Sequence, residues 1–485
     1  MNPATLQQAV VVAIAAAVLA PVAAAAILRL GFFRDGPRLP AVGSVIVSLM
    51  ASVILLMAWH SAGSVSLDFG DRLAGGSFIH VDGITVLLLP YAALAMLAVV
   101  LAAPKRFLDA SATAGLLLGV AGTFAMFVTA HPLLIVALWV ATGLPAWVSM
   151  RAHPGGRPTA RVFAYATVTA FIALAAGTAM MLVDPPWERG SGWVGTTGGW
   201  LVAFAVAVRE GLVPVHSWYP AVYGGAPMST ALLVTVPQVG SYTAVRLLIG
   251  HADGVAQELV VLSQLGIVTA VYGAALAIVQ RDLRWLIGTL AMSQSALVLG
   301  GLAGTLPMEL NGAFCMWISS GLSLTGIGVV TWALESRGGV IRLETPQGRF
   351  WDAPALAAFF LLFGLAGIGL PGTLSFVADD LIVSGSLDEQ LHAGLLVIAA
   401  TVLGGIAVLR GWFMVFGGPV AADGPRHGIL ARERAALSVL LVILFGLGLF
   451  PGGLVRSLDR ATAELLGSSS GRSVDGQLHE TPGDR

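Results

Sequence analysis

Apolar segments of about twenty residues follow one another from end to end of this 485-residue chain, and no other feature restricts its fold as severely. About twenty helical residues cross a bilayer core of about 30 Å. Lipid offers backbone N–H and C=O groups no partner, so a spanning segment must satisfy them internally. Segments of this length do so as helices. The chain is 57% hydrophobic and 11% charged, against roughly 25% charged in soluble proteins. It therefore reads as one all-α polytopic membrane domain, residues 1–465, and not as a soluble enzyme. A polar, Gly- and Ser-rich tail, 466–485, reads as disordered. The net charge of −1 gives no nucleic-acid footprint. A single cysteine, Cys315, excludes an internal disulfide and a cysteine ligand cluster.

About fourteen spans are expected. The first seven lie near 8–29, 41–59, 83–103, 110–130, 132–150, 162–183 and 198–216. The rest lie near 228–249, 256–279, 285–304, 311–334, 355–384, 391–413 and 433–453. The first reads as an uncleaved span, because Met1 to Gln8 lacks Lys and Arg and the apolar run from Ala9 to Ile27 is long. Positive charges follow alternate spans: Arg29, Arg34 and Arg38; Lys105 and Arg106; Arg151, Arg157 and Arg161; Arg281 and Arg284; Arg337, Arg342 and Arg349; Arg410, Arg426, Arg432 and Arg434. By the positive-inside rule both termini then lie outside the cytoplasm of a bacterial inner membrane. The loop after the seventh span, without Lys or Arg, is the exception.

Two spans are interrupted. The run Val208–Arg246 carries Arg209, Glu210, His216 and Gln238 in apolar sequence, and Pro214, Pro220, Gly224, Gly225 and Pro227 break its middle. Leu370–Thr373 (LPGT) breaks the twelfth span shortly before Asp379 and Asp380. Ionisable groups are costly in hydrocarbon and face a protein interior or a wet cavity. Broken helix at that depth is tolerated only in the same places. The breaks lie five spans apart, near 214–227 and 370–375. Paired broken helices point to two inverted five-helix repeats, roughly 110–250 and 256–413, with an ion site at the breaks.

Four segments resemble the antiporter-like proton-channel subunits of respiratory complex I (M and L types) and the Mrp-type antiporters. They are Phe78–Gly83 (FIHVDG), Arg209–Pro227 with its Pro-x-His-x-Trp and Ala-Pro, Arg281–Gln294 (RDLRWLIGTLAMSQ) and Leu365–Leu381 (LAGIGLPGTLSFVADDL). They occur in the family's order over roughly residues 75–455. The resemblance implies a proton-translocating membrane subunit of a hetero-oligomeric, complex I-like assembly, with further membrane and peripheral subunits as partners. No Gly-rich phosphate loop, haem-binding histidine pair or flavin motif is visible in the sequence, so no cofactor is expected in this chain.

The resemblance also implies roles. Arg209 stands where the family keeps a mid-membrane lysine, but arginine does not deprotonate in proteins. Glu210 beside it then reads as the titrating group, or as half of an ion pair that a bent side chain or broken turn would permit. His216 suits proton relay by its unperturbed pKa near 6.5, and equally suits helix packing. Gln238 replaces a second lysine and can order water. Arg284 falls on a third, at a helix end where a snorkelling cation is also expected. Asp379 matches a glutamate of the family, with Asp380 as an extra acid; a solvated helix end is the competing reading. Three positions depart from the pattern: Val140 stands for a glutamate, Ser320 for a histidine, and the chain's one lysine is Lys105. His80 and Asp82 read as interface anchors, Trp218 and Tyr219 as interface or cavity wall, and Glu335, Arg337 and Asp352 as solvated loop charges. Three other functions stay open. They are a cation/proton antiporter or inorganic-carbon uptake subunit moving sodium or bicarbonate, a non-conducting structural subunit, and an unrelated carrier.

Overall fold

A computed structural model describes residues 3–33, 36–67, 77–105, 108–186, 192–304, 306–389, 391–419 and 428–475. Arg34, Arg106, Arg426 and residues 476–485 lie outside the described residues. The helices are α1 (Pro3–Arg29), α2 (Arg38–Ala62), α3 (Gly83–Ala102), α4 (Ala110–Phe127), α5 (Pro132–Ala152) and α6 (Arg157–Val183). There follow α7 (Trp193–Arg209), α8 (Trp218–Gly225), α9 (Met228–Thr235), α10 (Val239–Leu247), α11 (Ala256–Ile278) and α12 (Leu283–Leu302). The last are α13 (Pro307–Gly338), α14 (Pro354–Gly367), α15 (Leu374–Glu389), α16 (Leu391–Phe416), α17 (Ala431–Leu449) and α18 (Gly452–Asp475). One short antiparallel pair, β1 (Val65–Leu67) with β2 (Ile79–Val81), precedes α3 and had no clear sequence signal. Helix α18 reaches into the segment read as a polar tail.

By length and composition, eleven helices among the described residues can cross a membrane, or twelve if the bent α17–α18 pair is one span. That is fewer than the roughly fourteen expected. The shortfall has a local cause, since the expected spans near 198–216 and 355–384 are each split before they reach full length. Both splits are built alike. After α7, Gly211 has φ +69°, Leu212 N–H bonds Ala207 C=O at 2.9 Å, and Gly211 N–H bonds Val208 C=O at 3.2 Å. After α14, Gly369 has φ +83°, and Leu370 N–H bonds Leu365 C=O at 3.0 Å. In each case a glycine in the left-handed region ends the helix by turning the chain back onto its own last carbonyls. A proline follows within three residues, Pro214 or Pro371, and supplies no N–H to continue the ladder.

A third break was not foreseen. Between α9 and α10 the chain turns at Gln238, a non-glycine residue with φ +49° and ψ +58°. This segment and α13 are buried along their whole apolar windows, and α12 is 94% buried, whereas α5, α6 and α11 are 33–39% buried. The polar residues inside spans therefore sit mainly in the helices that lipid cannot reach. At 1.5 Å per residue α13 alone is about 48 Å long, and it packs against α3, α12, α14, α15, α17 and α18.

Gly211→Ala is expected to destabilise the protein by about 1–2 kcal/mol from the left-handed backbone alone. A Cβ there also meets the Tyr219 ring at 2.8 Å. Thermal unfolding in detergent would register the loss as a lower Tm.

Candidate functional site

The split after α7 leaves backbone groups that need new partners, and side chains supply them. Trp218 Nε1 donates to Val208 C=O (2.7 Å), and Thr269 Oγ1 accepts from Val213 N–H (3.0 Å). At the Gln238 break, Tyr91 Oη donates to Val236 C=O (2.6 Å), and Glu210 Oε1 accepts from Ser241 N–H (2.9 Å). Glu210 thus caps α10 from another helix, where a carboxylate meets orphan donors and the positive end of the helix dipole. Its Oε2 accepts a short hydrogen bond from Ser295 Oγ of α12. Glu210 as a whole is 2% exposed. Gly240 leaves the space for it: a Cβ there would lie 2.6 Å from Glu210 Oε1.

Arg209 and Glu210 do not pair among the described residues; their side chains leave the end of α7 in different directions. The Arg209 guanidinium lies 5.6 Å over the Trp139 ring, and Nη2 donates to Thr142 Oγ1 (3.4 Å). Its Nη1 is buried without a partner. Trp139 is fixed in turn by donation from Nε1 to Thr243 Oγ1 (2.8 Å). Gln238 joins Glu210 through one residue, since Ser241 Oγ donates to Gln238 Oε1 (3.4 Å) while Ser241 N–H bonds Glu210. Arg209, Glu210 and Gln238 therefore converge, with Ser241 and Ser295 as members that the sequence did not single out. Hydroxyl residues are common in apolar helices, so nothing marked these two.

Beyond Ser295, a cavity of about 20 Å³ is lined by Gln294, Ser320, Ser323 and apolar residues of α12, α13, α14 and α16. That is room for roughly one water. Gln294 Oε1, buried and without a partner, gives such a water something to bond. Ser320, at the position of the family's histidine, lines it too; Val140, at that of the glutamate, is 44% exposed on the outer face of α5.

Other expected members lie apart. The His216 ring packs edge-on against Tyr272 of α11 at 5.0 Å, with Nδ1 unpartnered. Arg284 is locked by Glu335 (Nη2–Oε2 2.7 Å) and donates Nη1 to Ala226 C=O (2.7 Å), closing the C-terminus of α8. Its charge and the burial of His153, just past α5, both lower the pKa of that histidine, burial being the larger cause. Asp379 sits against Gly369 at the second split, with Oδ1 buried and unpartnered; Asp380 is exposed.

Three readings of bland residues are corrected. Glu335 and Arg337 are not solvated, because Glu335 holds Arg284 and Arg337 pairs with buried Glu433 (2.6 Å). Asp82 does not anchor an interface. It caps α3 and accepts two bonds from Arg246, at 2.6 and 2.9 Å, with both side chains under 9% exposed. Arg246 inside an apolar span was the legible signal for this pair; its partner, 164 residues away, was not.

The NADH:quinone oxidoreductase/Mrp antiporter transmembrane family matches residues 161–405, half of the chain, and the chain belongs to that family. It is 30% identical over 262 residues to "NADH-quinone oxidoreductase subunit M" of Pseudomonas aeruginosa, covering 52% of this chain and 50% of that one. It is 28% identical over 282 residues to "NAD(P)H-quinone oxidoreductase chain 4" of Acaryochloris marina, covering 55% and 52%. The chain thus spans about half the length of the curated relatives it matches. Its fold resembles a chain of respiratory complex I from Thermus thermophilus (TM-score 0.85, 21% identity, 94% and 99% covered). It equally resembles a chain of the Mrp complex from Dietzia (TM-score 0.84, 19% identity, 94% and 98% covered).

Removing Arg246 strands a buried carboxylate, so Arg246→Met should cost about 3–5 kcal/mol, and adding Asp82→Asn should recover much of it. A double-mutant cycle on denaturation midpoints gives the coupling; additive losses would contradict the pairing.

Proposed function

We propose that this chain is a proton-translocating membrane subunit of a complex I-like assembly in a bacterial inner membrane, crossing it about fourteen times with both termini outside the cytoplasm. Two inverted five-helix repeats carry the path, and the matched splits after α7 and α14 support that symmetry. The observation that carries the reading is Glu210. It is a carboxyl in the most buried part of the bundle, shared between a broken helix end and a hydroxyl, beside an arginine whose charge is fixed. Protons move along Glu210, Gln238, Gln294 and the Ser320 cavity to Asp379, with Arg209 holding a constant positive field. His216 serves as an access group at the first split, and Asp380 faces outward from the second. Arg284 is a structural tie rather than a carrier, because both its charge and its geometry are committed to Glu335 and α8.

A second reading, a non-conducting structural subunit, is favoured by Gln238 and Val140 at positions where the family titrates. One assay separates the two. Glu210→Gln and Asp379→Asn should each abolish proton flux into energised membrane vesicles while the complex still assembles. Wild-type flux in both variants would leave the structural reading. Mass spectrometry of the proteins that co-purify in mild detergent should find quinone-oxidoreductase subunits; small Mrp-type subunits or a soluble zinc protein would move the assignment to cation exchange or carbon uptake.

A further inference from the structure

The arginines that open α2 and α17 differ from those that tie the bundle together. Arg246, Arg284 and Arg337 each hold a carboxylate. Arg38 and Arg432 are both half-buried, yet neither holds a carboxylate among the described residues, and the Nε of each is buried without a partner. Arg38 donates Nη2 to the Ala103 carbonyl just past α3, a helix end that favours a cation. Arg432 lies close enough for its charge to be felt at Arg38. The nearby acids are engaged elsewhere. Glu433 holds Arg337 and accepts from Leu430 N–H, and Asp109 caps α4 by accepting from Ala112 N–H. Lys105, exposed just beyond α3, adds a third positive charge. Two like charges are thus brought together with no anion to offset them.

An apolar groove leads to this pair. Helix α2 packs against α1, α3 and α4, and α17 against α3, α13, α14 and α15, so the two flank α3. No residue of α3 is exposed, but Leu87, Pro90, Leu94, Leu97 and Leu101 are half-buried. Their spacing of three and four places them on one face of the helix. Gly83, four residues before Leu87, is on that face too, and a Cβ there would meet Trp59 of α2 at 2.7 Å and Ala461 of α18 at 2.4 Å. The stripe therefore starts where α2 and α18 close over α3, and it runs to Leu101, two residues from the carbonyl that Arg38 holds. A nearly buried helix that shows one narrow apolar stripe forms the bottom of a groove. At 1.5 Å per residue the stripe is about 21 Å long, more than half of a bilayer core of about 30 Å.

The two features call for one amphiphile. Guanidinium forks match the oxygens of a phosphate, and basic pockets between membrane helices bind anionic headgroups. An inorganic phosphate would meet the arginines and leave the groove unfilled. A helix of another protein, about 10 Å wide or more, is too broad for a stripe one residue across. An acyl chain fits it.

We propose that an anionic phospholipid occupies this groove, its phosphate held by Arg38 and Arg432 and one acyl chain lying along the 87–101 face of α3. The lipid supplies the negative charge that the protein leaves out and joins the start of α2 to the start of α17. The site lies apart from Glu210 and Asp379 and does not rest on the reading that this chain moves protons.

The test uses the full chain with its co-purifying partners, in phosphatidylcholine nanodiscs that contain phosphatidylglycerol with a photoreactive acyl chain. Peptide mass spectrometry should find the label on residues 87–101, more than about fivefold above that from phosphatidylcholine carrying the same group. Arg432→Gln, which removes no hydrogen bond within the chain, should lower the label about fivefold, the worth of one cation near an anionic headgroup. Arg432→Lys should keep part of it, and Arg38→Gln added to Arg432→Gln should erase the preference. Phosphatidylglycerol should also raise the Tm of the wild type, and raise that of Arg432→Gln less; this decides the matter if the double variant fails to fold. Equal labelling by the two lipids, or full labelling of Arg432→Gln, overturns the proposal. Loss of the label to inorganic phosphate at constant ionic strength would assign the arginines to a small anion and overturn it as well. Label on the dissociated chain but none in the complex would place a neighbouring subunit in the groove instead of a lipid.

Discussion

The structure depends on the cost of a backbone hydrogen bond left unmade where water does not reach. Every helix break inside the bundle frees N–H and C=O groups; some are met by the chain turning back on itself, and others by side chains from elsewhere. Trp218 takes Val208, Tyr91 takes Val236, Arg284 takes Ala226, Ser323 takes Phe363, and Glu210 takes Ser241. Such residues cannot be exchanged for apolar ones without exposing a backbone group to a dry interior. Part of the buried polar content of this apolar chain is thus a set of repairs to broken helices. The same repairs bring ionisable groups into its centre.

Charge is handled in two ways. Arg246 with Asp82, Arg284 with Glu335 and Arg337 with Glu433 are short pairs that neutralise each other and tie distant helices together. Glu210 and Asp379 have no cation among the ion pairs of the described residues; a hydroxyl and a backbone donor face the first, and the glycine of the second split faces the other. An acid with a fixed cation beside it stays ionised. An acid met by a hydroxyl is left able to change state. That contrast separates scaffold from candidate path more clearly than burial does, because both groups are buried.

Much of the site was legible. Arg209, Glu210 and Gln238 stood out as polar residues in apolar sequence, and they do converge. Pro214 announced the first split and Leu370–Thr373 the second, whereas the left-handed glycines that make the turns, Gly211 and Gly369, were not singled out. The α9–α10 break was hidden, because Gln238 is not a residue that chain-local preference sends into the left-handed region; Tyr91 and Glu210 hold it there from other helices. Ser241 and Ser295 were missed because a serine gains meaning only from what lies across the helix interface. Glu335 was read as solvated because its sequence neighbours are charged, whereas its spatial neighbour is Arg284.

The sequence by itself determined that this chain is a bundle of helices within a membrane and where two of those helices must break. Those outcomes follow from hydrocarbon thickness and from the local geometry of glycine and proline, which neighbours in the chain suffice to set. Only the tertiary structure decided which polar groups meet: that Glu210 turns from Arg209 to cap α10, that Arg284 closes α8, and that Asp82 finds Arg246. Those outcomes depend on distances between helices far apart in sequence, and on which buried donor or acceptor would otherwise be left unpaired.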